Sequence, residues 1–489
     1  VVTAGLCRVL ARRGVRVAPF KAQNMSNNSM VIAGPDGGGA EIGRAQWVQA
    51  VAANATPEVA MNPVLLKPGS DRGSHVVVNG RPAGQLSSAQ FVDDRRALGE
   101  AAFAAYDDLA SRFDVVVCEG AGSPAEINLR AHDFVNMGLA RHAGMPVLVV
   151  GDIDRGGVYA ALYGTLALLE TADQRLVAGF VLNKFRGEQA LLAAANEALL
   201  RLTGRPIVGV LPWTRDVWLD SEDGLNLSTR GAAAADPLQV AVVRFPRISN
   251  FTDLDALGLE PDVQVRYAAR PAQLADADLV VLPGTRATMA DLAWLRARGL
   301  DTAITAHASA GRAVLGVCGG FQMLGVAVAD PEGVEGQDGS TIYGLGLLDT
   351  RTTFVPTKVL RLSSGHALGA PVCGYEIHHG VTHGGNDAAF VGGVRRENVF
   401  GTMWHGCLES DAFRGAFLAE VAAAVGRIRL PSNVCFQEAR QQRLDHLADL
   451  LEQHLDLEAV LGLIRDGPPA ALPVLLPGRD DRCQPAAAP

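Results

Sequence analysis

A cysteine stands between glycines in residues 316–320, which read GVCGG after a short apolar run. This Gly-x-nucleophile-x-Gly pattern is typical of a strand-to-helix elbow, where glycines permit the tight turn that presents the central side chain. Because the positive end of the following helix favours a thiolate, the pattern predicts Cys318 as a nucleophile. A core thiol is the more common role of a cysteine, but it needs no elbow.

A thiolate that attacks an amide also needs N–H donors for the oxyanion that forms. The backbone N–H of Gly319 directly follows the nucleophile. Gly284, in LPGTRAT, follows another strand-like run of the same block. We therefore predict an oxyanion site between these two glycines.

A cysteine nucleophile also needs a general base, and three histidines are candidates. His405, in GTMWHG, lies just past a late strand-like run, from which a loop can return to the elbow. His378 and His379, in GYEIHHG, compete with it. Spacing alone leaves the three open, and His405 is the preferred candidate.

Two series of apolar, strand-like runs must position these groups. The first includes DVVVC, MPVLVVGD and LVAGFVLNKF, after an opening helix and a strand near residues 15–20, and the second begins at LQVAVV. Apolar strands that end in Gly or Asp and alternate with helices predict an α/β fold with two doubly wound parallel sheets. We predict domains over residues 1–227 and 240–457, a linker over 228–239, and a disordered Pro/Ala-rich tail over 458–489.

Composition narrows the class of protein. The 489 residues carry a formal charge of −9, with 48% hydrophobic and 19% charged residues, which favours a globular enzyme and gives no electrostatic reason to expect nucleic acid. No run of about 18 apolar residues indicates a membrane span, and no signal peptide is visible. Seven cysteines without paired spacing fit reduced thiols, so we expect a cytoplasmic enzyme. The oligomeric state does not follow from the sequence.

Several longer motifs together resemble one family. In the second block these are GVCGGFQMLG, LPGTRATMADLAWLR, PRISNFTDLDAL, GYEIHHG and GTMWHG, and in the first FKAQNMSNNS, EIGRAQWVQA, NPVLLKP, CEGAGSPAEINL and GDIDRGGVYA. They resemble the cobyric acid synthases, the glutamine-dependent amidating enzymes of cobalamin biosynthesis, over about residues 1–457. The resemblance implies a dethiobiotin-synthetase-like P-loop NTPase fold, followed by a class I glutamine amidotransferase fold.

For the second block, the resemblance implies that Cys318 attacks the side-chain amide of L-glutamine, while His405 moves protons and ammonia leaves. Many class I amidotransferases place a glutamate two residues after the histidine. This chain has Cys407 there, and Glu409 comes too late for the pattern. We therefore predict a Cys-His dyad and assign no third member.

For the first block, the resemblance implies that ATP activates a substrate carboxylate, with Mg²⁺ neutralising phosphate charge. Lys21 is the expected phosphate contact, Glu119 the Mg²⁺ ligand, and Asn183 and Lys184 the nucleotide contacts; ordinary loop polarity is the alternative for each. The implied substrate is a corrinoid polyacid. Polar residues at strand ends are the candidates for binding it: Asn24, Asn27, Asn128, Arg130, Asp152 and Arg155.

One motif departs from the family pattern. The sequence contains no G-x-x-x-x-G-K-[ST], and none of its four lysines follows a glycine. We expect that the start is truncated, so that the first strand and the phosphate loop precede Val1, and that the chain from Val1 shows little ATP-dependent amidation until they are restored. The alternatives are the related cobyrinic acid a,c-diamide synthase and a non-catalytic protein with a relict amidotransferase fold.

Overall fold

The computed structural model describes residues 1–70, 73–87, 91–214, 234, 236–335 and 339–475. Its helices are α1 Val2–Arg12, α2 Arg44–Ala52, α3 Phe91–Arg112, α4 Met137–Ala143, α5 Val158–Leu168, α6 Thr171–Gln174, α7 Ala193–Thr203, α8 Thr288–Ala297, α9 Leu300–Ser309, α10 Gly319–Leu324, α11 Asp411–Ala424, α12 Phe436–His454 and α13 Leu457–Asp466. Its first eleven strands are β1 Val17–Phe20, β2 Gln23–Met25, β3 Ser29–Ala33, β4 Gly39–Gly43, β5 Val64–Ser70, β6 Gly73–Val78, β7 Arg81–Ser87, β8 Val115–Cys118, β9 Val147–Asp152, β10 Val177–Phe185 and β11 Ile207–Pro212. The others are β12 Leu238–Val243, β13 Val263–Ala268, β14 Leu279–Leu282, β15 Ala313–Val317, β16 Ala327–Asp330, β17 Ser340–Tyr343, β18 Thr350–Ala367, β19 Ala370–Gly384, β20 Ala388–Phe390, β21 Gly393–Arg396 and β22 Val399–Thr402.

The first half contains the predicted parallel strands. β1 pairs with β8, and β9, β10 and β11 form a second parallel group in the order β11-β10-β9. Because parallel strands end at one edge, the residues after β1 and β8 are presented on one side of their pair, and those after β9, β10 and β11 on one side of theirs. Antiparallel hairpins, β3–β4 and β5–β6–β7, are added to this α/β unit.

The second half is a seven-stranded sheet in the order β13-β12-β14-β15-β22-β21-β20, parallel from β13 to β22. Its strands bury both faces: Val240 and Val242 face a core that contains Phe413 of α11, whereas Ala241 faces one that contains Leu292 of α8. Helices therefore cover both sides, and the doubly wound prediction is confirmed. A separate four-stranded sheet, in the order β17-β16-β18-β19, contains the long β18–β19 hairpin, which packs against β3 and β4.

The predicted disorder over residues 458–489 is wrong for its first part. Residues 457–466 form α13, which Asp456 caps by accepting a hydrogen bond from the N–H of Ala459 at 3.0 Å. Val460 is buried, and the N–H of Leu475 donates to Gln174 at 2.7 Å. This amphipathic segment, which has its own cap, was grouped with the Pro/Ala-rich stretch that begins only at residue 467. Residues 476–489 and most of the predicted linker lie outside the described residues.

The C-terminal helices α12 and α13 pack mainly against the first half of the chain. α12 packs along α1, where Arg8 Nε lies 2.7 Å from Asp445 Oδ1 and Leu447 is buried with Leu10 and Cys7. α12 also contacts β11. The last helices therefore return to the first half, although the sequence placed residues 436–457 in the amidotransferase domain.

Charged and apolar groups join the two halves. Glu41 of β4 is buried between Lys67 of β5, at 2.7 Å, and Lys358 of β18, at 2.5 Å. Beside them, Val31 of β3 packs against Tyr375 of β19 in a small apolar cluster. The interface is therefore a fixed part of the fold. Within the described ranges, no helix has the length and apolarity needed to cross a membrane.

Candidate functional site

Cys318 lies at a strained turn between β15 and α10. Its φ of 50° is in the left-handed region, which a non-glycine residue adopts only at an energetic cost, and its side chain is buried. The turn is also crowded, because a Cβ at Gly320 would lie 1.9 Å from the carbonyl oxygen of Leu282, and one at Gly316 would lie 2.7 Å from the nitrogen of Phe321. Glycine is required at both positions, as the elbow pattern implies.

His405 is buried and held by a carboxylate that the sequence did not reveal. Its Nδ1 lies 2.6 Å from Asp253 Oδ2, and the other oxygen of Asp253 accepts a hydrogen bond from the N–H of Gly406 at 2.8 Å. Burial opposes protonation, but Asp253 and Cys318 outweigh it and raise the pKa of His405. The geometry therefore adds Asp253 to the predicted Cys-His pair.

The position two residues after the histidine has a different role. Cys407 is buried, and burial raises the pKa of its thiol, so it is a neutral group beside Asp253. The competing histidines have other partners: His378 Nε2 lies 3.3 Å from Glu376, and His379 Nδ1 lies 3.1 Å from the carbonyl oxygen of Val355. Burial lowers the pKa of His379 to about 4. Among the three candidates, His405 is the one that interacts with Cys318.

The two predicted oxyanion glycines both lie at this site. A Cβ at Gly284 would lie 2.9 Å from Cε1 of His405, and one at Gly319 would lie 3.2 Å from the nitrogen of Thr285. In the part of the chain that the structure describes, the N–H groups of Gly319 and Thr285 have no hydrogen-bond acceptor. Thr285, one residue beyond Gly284, therefore places a second free N–H beside the elbow.

A cavity of about 400 Å³ opens from the elbow toward the first half of the chain. Cys318 and His405 line one part of its wall, and Lys67 and His75 of the first half line another. Arg286 also faces the cavity, and burial lowers the pKa of its guanidinium. The thiol site is therefore enclosed by both halves and not by the second alone.

In the first half, the predicted phosphate and metal residues contact each other. Lys21 Nζ lies 2.9 Å from Glu119 Oε1, and Gln49 donates to the other oxygen of Glu119 at 2.6 Å. Burial opposes ionisation of Glu119, but Lys21 outweighs it and holds the pKa of the carboxyl below its usual range. Gln49, on α2, was missed because nothing in its sequence context separates it from an ordinary helical glutamine.

The predicted nucleotide residues meet one of the predicted substrate residues. Asn183 Nδ2 donates to Asp152 Oδ1 at 3.0 Å, and Lys184 Nζ lies 2.6 Å from Asp152 Oδ2. Lys184 has a φ of 61°, which turns the chain sharply at the end of β10. The structure thus combines two predicted groups into one polar cluster at neighbouring strand ends.

The other predicted substrate residues differ in their hydrogen-bond partners and in their exposure. Arg130 makes a bidentate pair with the buried Asp173, at 2.7 and 2.9 Å, so its guanidinium is already engaged. Asn24 donates to Gln46 at 2.8 Å. Asn27 donates to the carbonyl oxygen of Pro68 at 3.3 Å, and its own buried Oδ1 has no partner among the described atoms. Two predicted residues are exposed: Asn128 and Arg155.

Two different family models match the two halves of the chain. Residues 1–227 match the model of the CobQ/CobB/MinD/ParA nucleotide binding domain, and residues 239–413 match that of the CobB/CobQ-like glutamine amidotransferase domain. A cobyric acid synthase of Mycolicibacterium gilvum is 64% identical over 98% of this chain and 96% of its own length. Those of Mycobacterium bovis and Mycobacterium tuberculosis are also 64% identical, over the same shares. A crystal structure of a glutamine amidotransferase is 18% identical and covers 37% of this chain and 98% of its own, with a TM-score of 0.30.

The fold and the matched models define a nucleotide-binding domain joined to a glutamine amidotransferase domain. The chain belongs to the cobyric acid synthase family.

Proposed function

We propose that the protein amidates the b, d, e and g carboxylates of adenosylcobyrinic acid a,c-diamide to give adenosylcobyric acid in cobalamin biosynthesis, with one glutamine and one ATP per amide. The observation that carries the proposal is the cavity shared by both halves, with Cys318, His405 and Asp253 at one side. A strained cysteine beside a paired histidine argues against the alternative of a non-catalytic protein with a relict amidotransferase fold. The high identity to cobyric acid synthases does not favour the related a,c-diamide synthase.

Cys318 and His405 supply the nitrogen. The thiolate of Cys318 attacks the side-chain amide carbon of glutamine, and the N–H groups of Gly319 and Thr285 stabilise the oxyanion. The His405 imidazolium gives a proton to the departing ammonia, and a γ-glutamyl thioester remains. His405 then takes a proton from the water that releases glutamate. Asp253 is a positioning residue, because it accepts from Nδ1 and so directs Nε2 to the thiol.

The first half activates the acceptor. ATP phosphorylates a carboxylate, because ammonia does not displace hydroxide from a carboxylate, and ammonia then displaces phosphate. Lys21 fits a role as the phosphate contact, since its ammonium is buried at a strand end. Asn183 and Lys184 are proposed to contact the nucleotide base.

Mg²⁺ is proposed to accompany ATP. It binds proteins through one or two carboxylates together with substrate phosphates, so the single carboxylate of Glu119 suits it. The ion would neutralise phosphate charge. In the described chain, no group of three or more His, Cys, Asp or Glu side chains could hold a metal without a substrate.

Recognition of the corrinoid is proposed to rest on the polar strand ends. Asn27 offers a free buried oxygen just after β2, which contains Asn24; Asn128 follows β8, and Asp152 and Arg155 lie at and just beyond the end of β9. Arg130 would shape this surface through its pair with Asp173. The predicted bounds 1–227 and 240–457 are kept as a proposal except at the end of the second domain, because α12 and α13 pack against the first domain. Free thiols at all six described cysteines support action in the cytoplasm.

Mass spectrometry of the corrinoid tests the proposal. The full-length enzyme is incubated with Mg-ATP, glutamine labelled with ¹⁵N at the amide, and adenosylcobyrinic acid a,c-diamide. We expect a series that ends after four labelled amides. A series that begins with cobyrinic acid and stops at the diamide would select the related synthase. Absence of corrinoid amidation with both glutamine and ammonium would overturn the proposal.

A further inference from the structure

The loop that carries the second oxyanion donor, Thr285, is paired on both sides of this residue. The residue before it, Gly284, accepts a hydrogen bond from the N–H of Ser249 at 2.8 Å. The residue after it, Arg286, donates its N–H to the carbonyl oxygen of Arg247 at 3.0 Å. In an antiparallel pairing of this kind, the residue between the bonded positions presents its own N–H on the other side. The N–H of Thr285 therefore faces away from the paired segment and lies beside the elbow.

One buried carboxylate binds both strands of this pairing. Asp291, in the first turn of α8, accepts through Oδ2 from the hydroxyl of Thr285 at 2.5 Å and from the N–H of Arg247 at 3.3 Å. The same hydroxyl accepts a hydrogen bond from the N–H of Ala287 at 3.1 Å. The backbone N–H of Asp291 also donates to the carbonyl oxygen of Ala287, at 2.9 Å. The turn between β14 and α8 is thus closed around Thr285 by side chain and backbone together.

The carboxylate of Asp291 is energetically unfavourable where it lies. The side chain is buried, and its Oδ1 has no hydrogen-bond partner among the described atoms. Burial raises the pKa of the carboxyl to about 6, although the Thr285 hydroxyl and the N–H of Arg247 oppose the rise. A buried polar atom without a partner costs free energy, so packing alone does not explain an acidic residue here. What the carboxylate supplies is a strong, charge-assisted acceptor for the Thr285 hydroxyl.

We propose that Asp291 is a positioning residue that holds the N–H of Thr285 at the oxyanion site. It acts through Thr285 and does not touch the substrate. This proposal rests on the proposed function, because the N–H has a catalytic role only if Cys318 attacks glutamine. An oxyanion donor acts in the transition state, so its displacement lowers kcat and leaves KM nearly unchanged. Removing one such donor costs about 10²- to 10³-fold in kcat, which is an upper limit for a donor that is displaced and not deleted.

Steady-state glutamine hydrolysis by the full-length enzyme tests this role. Glutamate release is measured over a range of glutamine concentrations, with Mg-ATP and adenosylcobyrinic acid a,c-diamide. Asp291→Asn keeps the shape of the side chain but removes the charge that strengthens the bond to Thr285. It should lower kcat about tenfold or more, with KM within about threefold of the parent value.

Asp278→Asn is the matched control. Asp278 is also buried, and it accepts a hydrogen bond from the N–H of Gln239 at 2.8 Å, next to the opposite end of β14. Its substitution removes a buried carboxylate without reaching the loop at Thr285. We therefore expect kcat to stay within about twofold of the parent value.

Two changes at Thr285 test the same contact without altering the carboxylate. Thr285→Val keeps the branched shape but removes the hydroxyl, so kcat should fall as in Asp291→Asn. Thr285→Ser keeps the hydroxyl and should retain most of the parent kcat. The double variant Thr285→Val/Asp291→Asn should be about as slow as the slower single variant, because both changes remove one contact.

Amidation driven by ammonium salts should continue in all these variants, because it does not use the oxyanion site. A parent kcat in Asp291→Asn, an equal fall in Asp278→Asn, multiplied losses in the double variant, or loss of ammonium-driven amidation in Asp291→Asn would overturn the positioning role. The labelled amide series with the parent enzyme tests the proposed function separately. Four labelled amides there, together with any of these results in the variants, would overturn the positioning role alone.

Discussion

At the scale of the residue, chemistry depends on contacts that fix three side chains. The strained backbone holds Cys318 at the elbow, and Asp253 fixes His405, whose pKa is raised. The imidazolium of His405 interacts with Cys318 and is therefore placed to give a proton to the leaving ammonia.

Replacing the nucleophile separates glutamine hydrolysis from amidation. Cys318→Ala should abolish glutamine hydrolysis, because no other group forms the thioester, whereas amidation driven by ammonium salts should continue in the full-length enzyme. Glutamate release and corrinoid amidation are measured in parallel. Cys373→Ala, at an exposed thiol, is the control and should retain both activities. Glutamine hydrolysis that survives in Cys318→Ala would refute the nucleophile assignment.

Removing the carboxylate beside His405 should change the pH dependence. Asp253→Asn lowers the pKa of His405, because the charge that stabilises the imidazolium is lost. The alkaline limb of kcat/KM for glutamine should therefore move to lower pH, and kcat should fall by about 10²-fold or more. Asp301→Asn, outside the cavity, should leave the profile unchanged. The same pH profile in Asp253→Asn and the parent enzyme would contradict the positioning role.

At the scale of the element, the sequence predicts features that consecutive residues encode, but not contacts between residues far apart in the chain. The elbow at Cys318 and its glycines are encoded within five consecutive residues, so the pattern found them. Asp253 lies 152 residues before His405, and only the folding of the turn onto the loop after β22 brings them together. The helix α13 was missed because its apolar pattern was grouped with the Pro/Ala-rich stretch that follows it, although Asp456 provides a cap.

The elbow itself gives a prediction about stability. Gly320→Ala places a Cβ 1.9 Å from the carbonyl oxygen of Leu282, a backbone atom that cannot rotate away. We expect the free energy of unfolding to fall by about 2 kcal/mol or more, with loss of glutamine hydrolysis. Gly415→Ala in α11 meets no atom within 4 Å and should be neutral or stabilising by up to about 1 kcal/mol. Equal unfolding midpoints in urea for the two variants would contradict the crowding argument.

At the scale of the whole molecule, both reactions depend on one interface. The cavity is lined from both halves, and the buried group of Lys67, Glu41 and Lys358 crosses between them beside it. Two cations share one carboxylate there, so removing the carboxylate leaves two buried charges without compensation. The sequence contained these residues but not their grouping, because they belong to β4, β5 and β18.

This ion group gives the molecule a specific sensitivity to acid. Burial opposes ionisation of Glu41, but Lys358 and Lys67 outweigh it and hold the pKa of the carboxyl well below its usual range. The stabilisation is therefore complete above the unfolded value of about 4.3 and is lost as pH falls toward the folded value, because the unfolded chain then binds more protons. Glu41→Gln should lower the free energy of unfolding at neutral pH by about 3–5 kcal/mol and flatten its decline below about pH 4.3.

The control for this prediction is the same substitution in an exposed ion pair. Glu100 lies 3.1 Å from Arg96 on α3, and both side chains are largely exposed, so Glu100→Gln should cost about 1 kcal/mol or less. Urea unfolding midpoints are measured from pH 3 to pH 8 for both variants and the parent enzyme. Because Glu41 lies between the halves, its loss should also lower the yield of amide per glutamine hydrolysed. A Glu41→Gln variant with the acid sensitivity of the parent enzyme would show that the buried group does not control the stability of the interface.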